Sequence, residues 1–600
     1  MNSNIIKFTK NIRLISTRLS STYSYENVVI RENYSLIEPK YKKYSYAMCK
    51  TNDLHLLCDT VGDRMNTLSH EKPNEIAFKF SLTQTSLTFK EIKQRCEQIA
   101  QNLLSKGFKK GDRLALLLPN IPELALTLLA CSSIGVIVVL MNPAYQLVEI
   151  EYMLKKTGSR GLVILDNLKT LKHYDVLKKI APEIENSTPG ELNSKNLPDL
   201  KHVILVKNRL MNDPSTQYKG TWNFDTDIAK YDKINYQVPY VDSDDPLVML
   251  FTSGTTGLPK AAVMTHYNLV NSAYMDIFAN GLIDASKNIA CPIPIFHSFG
   301  LIGGLLEPMI VGGKTIFPHF LPDTLTLMKA VHTEKCTAIK GAPVIFLDMI
   351  NHPERKKFDL SSLEYMLLGA STVPKNLLQR IQKELGVKHI IIGYGMTETS
   401  AAGTITRIDY DEKQAYESIG QPFPFVEIKI VDSERKLAPV NTDGEICIRG
   451  YNVMKEYWDE PEKTAECLDK NGWLFTGDIG SMDERGCVQF KSRAKEVIIR
   501  GGVNIYPAEI EVFIRGHSDV VDCYCFGIHD ERVGEEVCIW IKLKENSKTS
   551  EKDITEFCKD KIAYFKIPKH IKFVQSFPIN ATGKVQKFKM VEQMKQELKI

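Results

Sequence analysis

The chain has 600 residues, more than one hydrophobic core organises, so several domains are expected. With 43% hydrophobic and 25% charged residues it is neither disordered, nor collagenous, nor a multi-span membrane chain. A net charge of only +4 gives no electrostatic case for nucleic acid or an anionic membrane as the main partner. The 13 cysteines are odd in number and form no CxxC, which points to a reduced compartment and no structural zinc. Cys523 and Cys525 are close, and their spacing suggests alternate faces of a strand.

The first 25 residues hold Lys7, Lys10, Arg13 and Arg18 but no Asp or Glu. Ile5, Phe8, Ile12, Ile15 and Leu19 recur at helical steps, the pattern of an amphipathic, acid-poor organelle presequence. At the other end, Leu598-Lys599-Ile600 is not a peroxisomal signal of the Ser-Lys-Leu type. From about residue 85 to 395 two periods alternate. Thr88-x-x-Glu91 predicts a capping box, followed by a helical stripe of Phe89, Ile92, Cys96, Ile99 and Leu103. Arg113 to Leu118 reads as a buried strand. The uncharged run Leu124 to Met141 is long enough for a bilayer, but Pro122, Pro143 and Gly135 favour a buried helix running into a buried strand. Further strands are expected near 162–165, 202–206, 247–251, 337–340, 364–368 and 388–393, with helices at 323–333 and 374–385. Residues 181–200 read as a surface insertion. The class is α/β, with largely parallel sheets. After about 440 the pattern turns to β. From 495 a compact α+β unit begins, with a helix opening at Pro507 and strands near 520–527, 536–543 and 570–575.

The strand at 247–251 leads into Thr252-Ser253-Gly254-Thr255-Thr256-Gly257-Leu258-Pro259-Lys260. Its glycines let backbone N–H groups turn towards an anion, its hydroxyls can donate, and Lys260 adds a point charge. It lacks the Gly-x-x-x-x-Gly-Lys-Ser/Thr pattern of a Walker A loop. The string resembles the signature of the adenylate-forming superfamily, which includes acyl-CoA synthetases, firefly luciferase and peptide-synthetase adenylation domains. Further motifs follow in the family's order over nearly all the chain after residue 55. The resemblance implies a large body of stacked α/β sheets with a small β subdomain over 55–493 and a mobile lid over 495–600, after the presequence read from residues 1–25.

It also implies roles for particular residues. In Gly393-Tyr394-Gly395-Met396-Thr397-Glu398, Tyr394 stacks on adenine, Thr397 contacts phosphate and Glu398 holds magnesium, with Gly395 on the substrate side. Gly369-Ala370-Ser371 resembles the adenine-facing segment. Asp478, in Trp473-Leu474-Phe475-Thr476-Gly477-Asp478, matches the aspartate that binds both ribose hydroxyls. Arg493 also falls at the ribose, although Ser492 stands where the family usually has glycine. Lys495 is the hinge, and Gly501-Gly502 line the pantetheine path. Thr582-Gly583-Lys584 carries the catalytic lysine, Lys584, without the basic residue that usually precedes it. His297 and Phe299 in Phe296-His297-Ser298-Phe299-Gly300 belong to the acyl pocket.

The implied reaction uses ATP, Mg²⁺ and coenzyme A to convert a carboxylic acid to an acyl-adenylate and then a thioester. The string Arg500 to Glu509, the tail Lys584 to Lys589 and the presequence most resemble mitochondrial medium-chain fatty acyl-CoA ligases. A ligase for aromatic acids of the coumarate type and a luciferase-like enzyme remain open. So does a nucleotide-binding protein without catalysis. No nucleic-acid partner or transmembrane segment is expected, and the oligomeric state is unreadable from the sequence.

Overall fold

The computed structural model describes residues 28–32, 43–49 and 54–598, except 169–171, 209–217, 231–235, 253–258, 280–287, 371–372, 374, 409, 411–415, 501–502, 531–532, 560, 563–565 and 580–584. The acid-free segment 1–25 lies outside the described residues.

Runs of Val, Ile and Leu with no polar face make the middle of an eight-stranded sheet. His202–Val206, Gly161–Leu165, Arg113–Leu117, Ile137–Leu140 and Pro246–Thr252 are neighbours in that order, all parallel. Both of their faces are buried, which is why these strands read as continuous apolar runs. A nine-stranded sheet carries a second parallel series: His389–Tyr394, Tyr365–Leu368, Ala338–Gly341, Asn288–Ala290, Lys314–Phe317 and Ile76–Phe80. Leu114, Leu116 and Val138 of the first sheet share one core with Phe78, Ile289 and Phe317 of the second. Helix Pro122–Ile134 belongs to this core, and all its residues except Ser133 are buried. Its all-round hydrophobicity thus reflects burial between layers. Among the described residues, no helix is long and apolar enough to cross a membrane.

The outer faces are covered as well. Ala115 and Val139 pack against helices Leu147–Thr157 and His173–Ile180. Ile339 and Met366 pack against Thr324–Glu334 and Pro343–Asn351. The α/β reading with stacked, largely parallel sheets therefore holds. Three details differ from the sequence reading. Residues 181–200 lie at the surface but are anchored to the core: Ile184, Leu192, Leu197 and Leu200 are buried against the first sheet, apolar residues too widely spaced to show a period. The helix expected over 374–385 is described as Lys375–Arg380 continued by a π-helical turn, Ile381–Leu385. Cys523 and Cys525 share one face of Val520–Asp530, as a two-residue step in a strand requires, and both are in its core.

The β region is a six-stranded antiparallel sheet of Val28–Glu32, Lys43–Cys49, Val426–Val431, Gly444–Gly450, Leu474–Met482 and Val488–Arg493. A five-stranded sheet follows. It joins Val503–Ile505, Ile498–Arg500, Gly534–Leu543, Val520–Asp530 and His570–Phe573. Its helices Pro507–Arg515 and Glu551–Cys558 contribute Ile510, Ile514 and Ile554 to a separate core.

Two buried histidines tie this packing to pH. His266 caps one layer to another by accepting from the Val61 N–H at 3.2 Å, and burial pushes its pKa down to about 4. His202 accepts from Trp222 at 3.3 Å; burial first, then Arg160 and Lys106, bring it to about 4 as well. Each group is neutral when folded and protonates more readily when unfolded. Its stabilisation is therefore complete above about pH 6.5 and is lost as pH falls towards 4. The expected slope is roughly 1 kcal/mol per pH unit per histidine in that window. Urea melts across it should show the slope, and His266→Leu should reduce it; a stability curve flat between these limits would contradict the assignment.

Candidate active site

A cavity of about 770 Å³ opens at the carboxyl ends of both parallel series, beside the antiparallel sheet. Thr252 and Lys260 come from the first sheet. Gly369, Ala370 and Gly393 to Glu398, Tyr394 excepted, come from the second, and Thr476, Gly477 and Arg493 from the third. Crevices at strand carboxyl ends are the usual ligand position in open α/β sheets.

The loop after Thr252 connects two paired strands. Pro246–Thr252 pairs antiparallel with Lys260–Thr265, and Thr252 faces Lys260 across it. Residues Ser253, Gly254, Thr255, Thr256, Gly257 and Leu258 lie outside the described residues. The Pro259 carbonyl accepts the Tyr152 hydroxyl at 2.9 Å, anchoring one shoulder of the hairpin. No helix begins at Lys260, so positive charge here comes from the side chain rather than from a helix dipole.

Lys260 Nζ lies 4.6 Å above the Tyr457 ring. Tyr457 reaches it because Glu456–Tyr457 adds an edge strand to Lys260–Thr265. The Tyr457 hydroxyl donates to Glu398 Oε1 at 2.7 Å. Burial, then the Glu398 charge, hold the phenol pKa far above its usual value, so it stays a donor. Glu398 is 6% exposed, in the short turn Thr397–Thr399, and its carbonyl accepts the Met454 N–H at 2.8 Å. Tyr457→Phe should therefore free the carboxylate from its fixed orientation. A hydrogen bond to a charged group contributes about 1.5–3 kcal/mol, so kcat/KM for ATP should fall roughly tenfold or more. Steady-state kinetics over ATP concentration check this, and an unchanged value would remove Tyr457 from the site.

Among the described residues, no three His, Cys, Asp or Glu side chains gather as a metal-holding group. A single fixed carboxylate still fits Mg²⁺ carried in on a polyphosphate, because Mg²⁺ usually takes one or two carboxylates plus phosphate oxygens. Glu398 is the residue that would hold it.

Asp478 lies within strand Leu474–Met482, and its register partner on Val488–Arg493 is Arg493. The Asp478 side chain is 4% exposed, with Oδ1 3.4 Å from Arg493 Nε. The Tyr394 hydroxyl donates to Asp478 Oδ2 at 2.7 Å. Burial first, then Asp478, raise the Tyr394 pKa well above normal and keep that proton in place. Tyr394 thus meets the Asp478–Arg493 pair although it comes from a different sheet. Asp478 follows the cavity-lining Gly477, whose φ of +70° lies in the left-handed region.

Gly369 and Gly393 permit a close approach of the two neighbouring strand ends: a Cβ on Gly369 would lie 3.1 Å from the Gly393 carbonyl. Ala370 follows in the left-handed region, φ +68°, and Ser371 lies outside the described residues. At Gly395 a Cβ would overlap the Ala401 backbone at 2.4 Å. His297 precedes the short helix Ser298–Gly300 and its Nδ1 accepts the Phe299 N–H at 3.3 Å; both side chains line the cavity. Gly501, Gly502 and Lys584 lie outside the described residues, and only the backbone of Lys495 is described, in the turn Ala494–Glu496. The sequence reading passed over Tyr457, Ser272, Asp276, Arg435 and Glu445, all beside or lining the same cavity. None belongs to a short motif, and only tertiary pairing brings them in.

A sequence model described as AMP-binding enzyme matches residues 67–458, and one described as AMP-binding enzyme C-terminal domain matches 509–584. The chain belongs to the AMP-binding enzyme family. Within that family it is 38% identical to the mitochondrial medium-chain acyl-CoA ligase ACSF2 of Bos taurus, covering 91% of this chain and 89% of the relative. It is 34% identical to the putative acyl-CoA synthetase YngI of Bacillus subtilis (strain 168), covering 90% and 97%. The AMP-binding fold is matched by the crystal structure of the anthranilate CoA ligase AuaEII in complex with anthranoyl-AMP, with TM-score 0.79 at 24% identity over 91% of this chain and 99% of that one. ATP-bound MatB from Rhodopseudomonas palustris gives TM-score 0.75 at 24% identity, over 90% and 99%.

Proposed function

We propose that this AMP-binding enzyme is an ATP-dependent ligase that joins a medium-chain fatty acid to coenzyme A. The observation that carries the reading is one cavity in which Lys260 and the buried Glu398–Tyr457 pair adjoin the Asp478–Arg493 pair, continuous with Phe299, Ile302 and Leu367. The first groups suit a polyphosphate, the pair suits a ribose diol, and the apolar wall suits an acyl chain. The relatives named as medium-chain acyl-CoA ligases support the same substrate class.

The reaction begins with a substrate carboxylate oxygen attacking the α-phosphorus of ATP. The new P–O bond replaces the bond to pyrophosphate, which leaves. The coenzyme A thiol, losing its proton, then attacks the carbonyl carbon, and AMP departs with the C–O bond electrons. Both steps need alignment and charge neutralisation more than a protein nucleophile. In this reading Thr252, Lys260 and the loop between them hold the departing pyrophosphate, with Thr397 at the phosphates. Glu398 would hold Mg²⁺, which would supply neutralising charge at the phosphates. Tyr394, Gly369, Ala370 and Ser371 frame adenine; Asp478 and Arg493 hold the ribose. Lys584 bridges carboxylate and α-phosphate, Gly501 and Gly502 guide pantetheine, and His297, Phe299 and Gly395 border the acyl group.

Pyrophosphate release measured over straight-chain and aryl acids tests the proposal. Activity peaking on medium-chain aliphatic acids is expected. A peak on aryl acids would replace the substrate class, and no release with any acid would leave a nucleotide-binding protein. For location we propose the mitochondrion, supported by the basic, acid-free residues 1–25 and by the named relatives. Fusing residues 1–25 to a fluorescent reporter tests it; diffuse fluorescence would refute the presequence.

A further inference from the structure

The acyl side of the cavity ends on polar groups that an aliphatic chain does not need. Ser272 and Asp276 stand one turn apart on helix His266–Phe278, and both line the cavity. Ser272 is fully buried, and its Oγ has no hydrogen-bond partner. Asp276 Oδ2 lies 2.6 Å from Nζ of Lys340, which also pairs with Glu307. Lys340 is 1% exposed and Glu307 0%. Lys340 lies behind Gly303, a cavity-lining residue at which a Cβ would come within 3.0 Å of Lys340 Cδ and 3.7 Å of Nζ. The missing side chain at Gly303 leaves the ion cluster next to the cavity.

This cluster is set apart from Glu398 along the helix. Asn268, one turn before Ser272, donates to the carbonyls of Tyr451 at 2.6 Å and Val453 at 3.0 Å, and the next residue, Met454, donates to Glu398. The helix leaves the Glu398 end there, and Asp276 lies about 12 Å further along its axis. A buried polar group without a partner is costly, and a methyl terminus would leave Ser272 unmet.

Resting on the fatty-acid ligase reading, we infer that the far end of the acyl cavity is a polar subsite for a medium-chain carboxylic acid with a neutral hydroxyl on its distal carbon. The hydroxyl both donates and accepts, so it can donate to Asp276 and accept from Ser272. A distal carboxylate would be a third acid beside one lysine. A distal ammonium would face Lys340.

The test compares kcat/KM for acyl-CoA formation by the full-length protein with hexanoate, octanoate and decanoate, their ω-hydroxy derivatives and the matching dicarboxylates. At the best-fitting length the ω-hydroxy acid should be preferred to the plain acid by about tenfold, and the dicarboxylate should be poorer than both. Ser272→Ala should bring the hydroxy-to-plain ratio towards one. Gly303→Ala, which screens Lys340 with a methyl group, should lower it separately. Melting temperatures confirm that the variants fold. A wild-type ratio at or below one for every length overturns the inference, as does a ratio that neither variant alters. If aryl acids react and no aliphatic acid does, the fatty-acid reading itself falls and takes this inference with it.

Discussion

Asp478→Ala should reduce kcat/KM for ATP by about 10²–10⁴. The carboxylate accepts a hydrogen bond from the Tyr394 hydroxyl at 2.7 Å and lies beside Arg493 at 3.4 Å, so its two oxygens are held in one orientation before nucleotide arrives. In the proposed site those oxygens receive the two ribose hydroxyls. Each hydrogen bond to a charged group contributes about 1.5–3 kcal/mol, and each 1.36 kcal/mol is tenfold in rate, which sets the range. The substitution also leaves Tyr394 without its acceptor and Arg493 without its counter-charge, so stability must be followed by thermal melting. The ribose contact has its own signature. Wild type should discriminate against 2′-deoxyATP, and Asp478→Ala should treat the two nucleotides nearly alike. If both proteins discriminate equally, Asp478 does not read the ribose, however large the loss of rate.

How far this site could be read in advance depended on where its information lies. The buried parallel strands were visible because a strand covered on both faces must be apolar throughout, as in Gly161–Leu165 and His202–Val206. Asp478 and Arg493 stood in recognisable strings, and only 15 residues separate them, so a hairpin could be inferred from the turn at Asp483 to Gly486. Their direct register pairing is a property of the ladder. Tyr457 was invisible because its role depends on Glu456–Tyr457 joining the edge of a strand nearly two hundred residues earlier. The ion cluster was hidden for the same reason: Asp276, Glu307 and Lys340 come from three separate elements and share no local spacing. Lys43–Cys49 carries Lys43, Tyr44 and Ser45 among its apolar residues, and it becomes a strand by pairing with Val426–Val431. Local periodicity reports burial; it does not report which distant strand supplies the partner.

Lys584→Ala should divide the reaction. Adenylate formation is expected to fall about 10²–10³, the cost of removing one preorganised group that stabilises transition-state charge. Thioester formation from a supplied acyl-adenylate should stay within about threefold of wild type, because the proposed second step does not use that lysine. The surroundings of 580–584 give this division a physical basis. Ile579 and Val585 bridge antiparallel, so the segment carrying Lys584 is closed at its base. Three residues on, Lys587 Nζ pairs with Glu511 at 2.8 Å and with Glu496 at 3.0 Å. Glu496 adjoins Lys495 in the turn Ala494–Glu496, where the proposed hinge lies. The base of the Lys584 segment is thus tied to the hinge and to helix Pro507–Arg515, and a rotation there moves them as one piece. In the proposed cycle such a rotation would withdraw Lys584 after adenylation and present Gly501 and Gly502 to coenzyme A. Asp478→Ala provides the contrast, since AMP remains bound through both steps and both half-reactions should suffer. Equal loss of both half-reactions in Lys584→Ala would mean that one arrangement serves the whole reaction, and the hinge would then have no catalytic purpose.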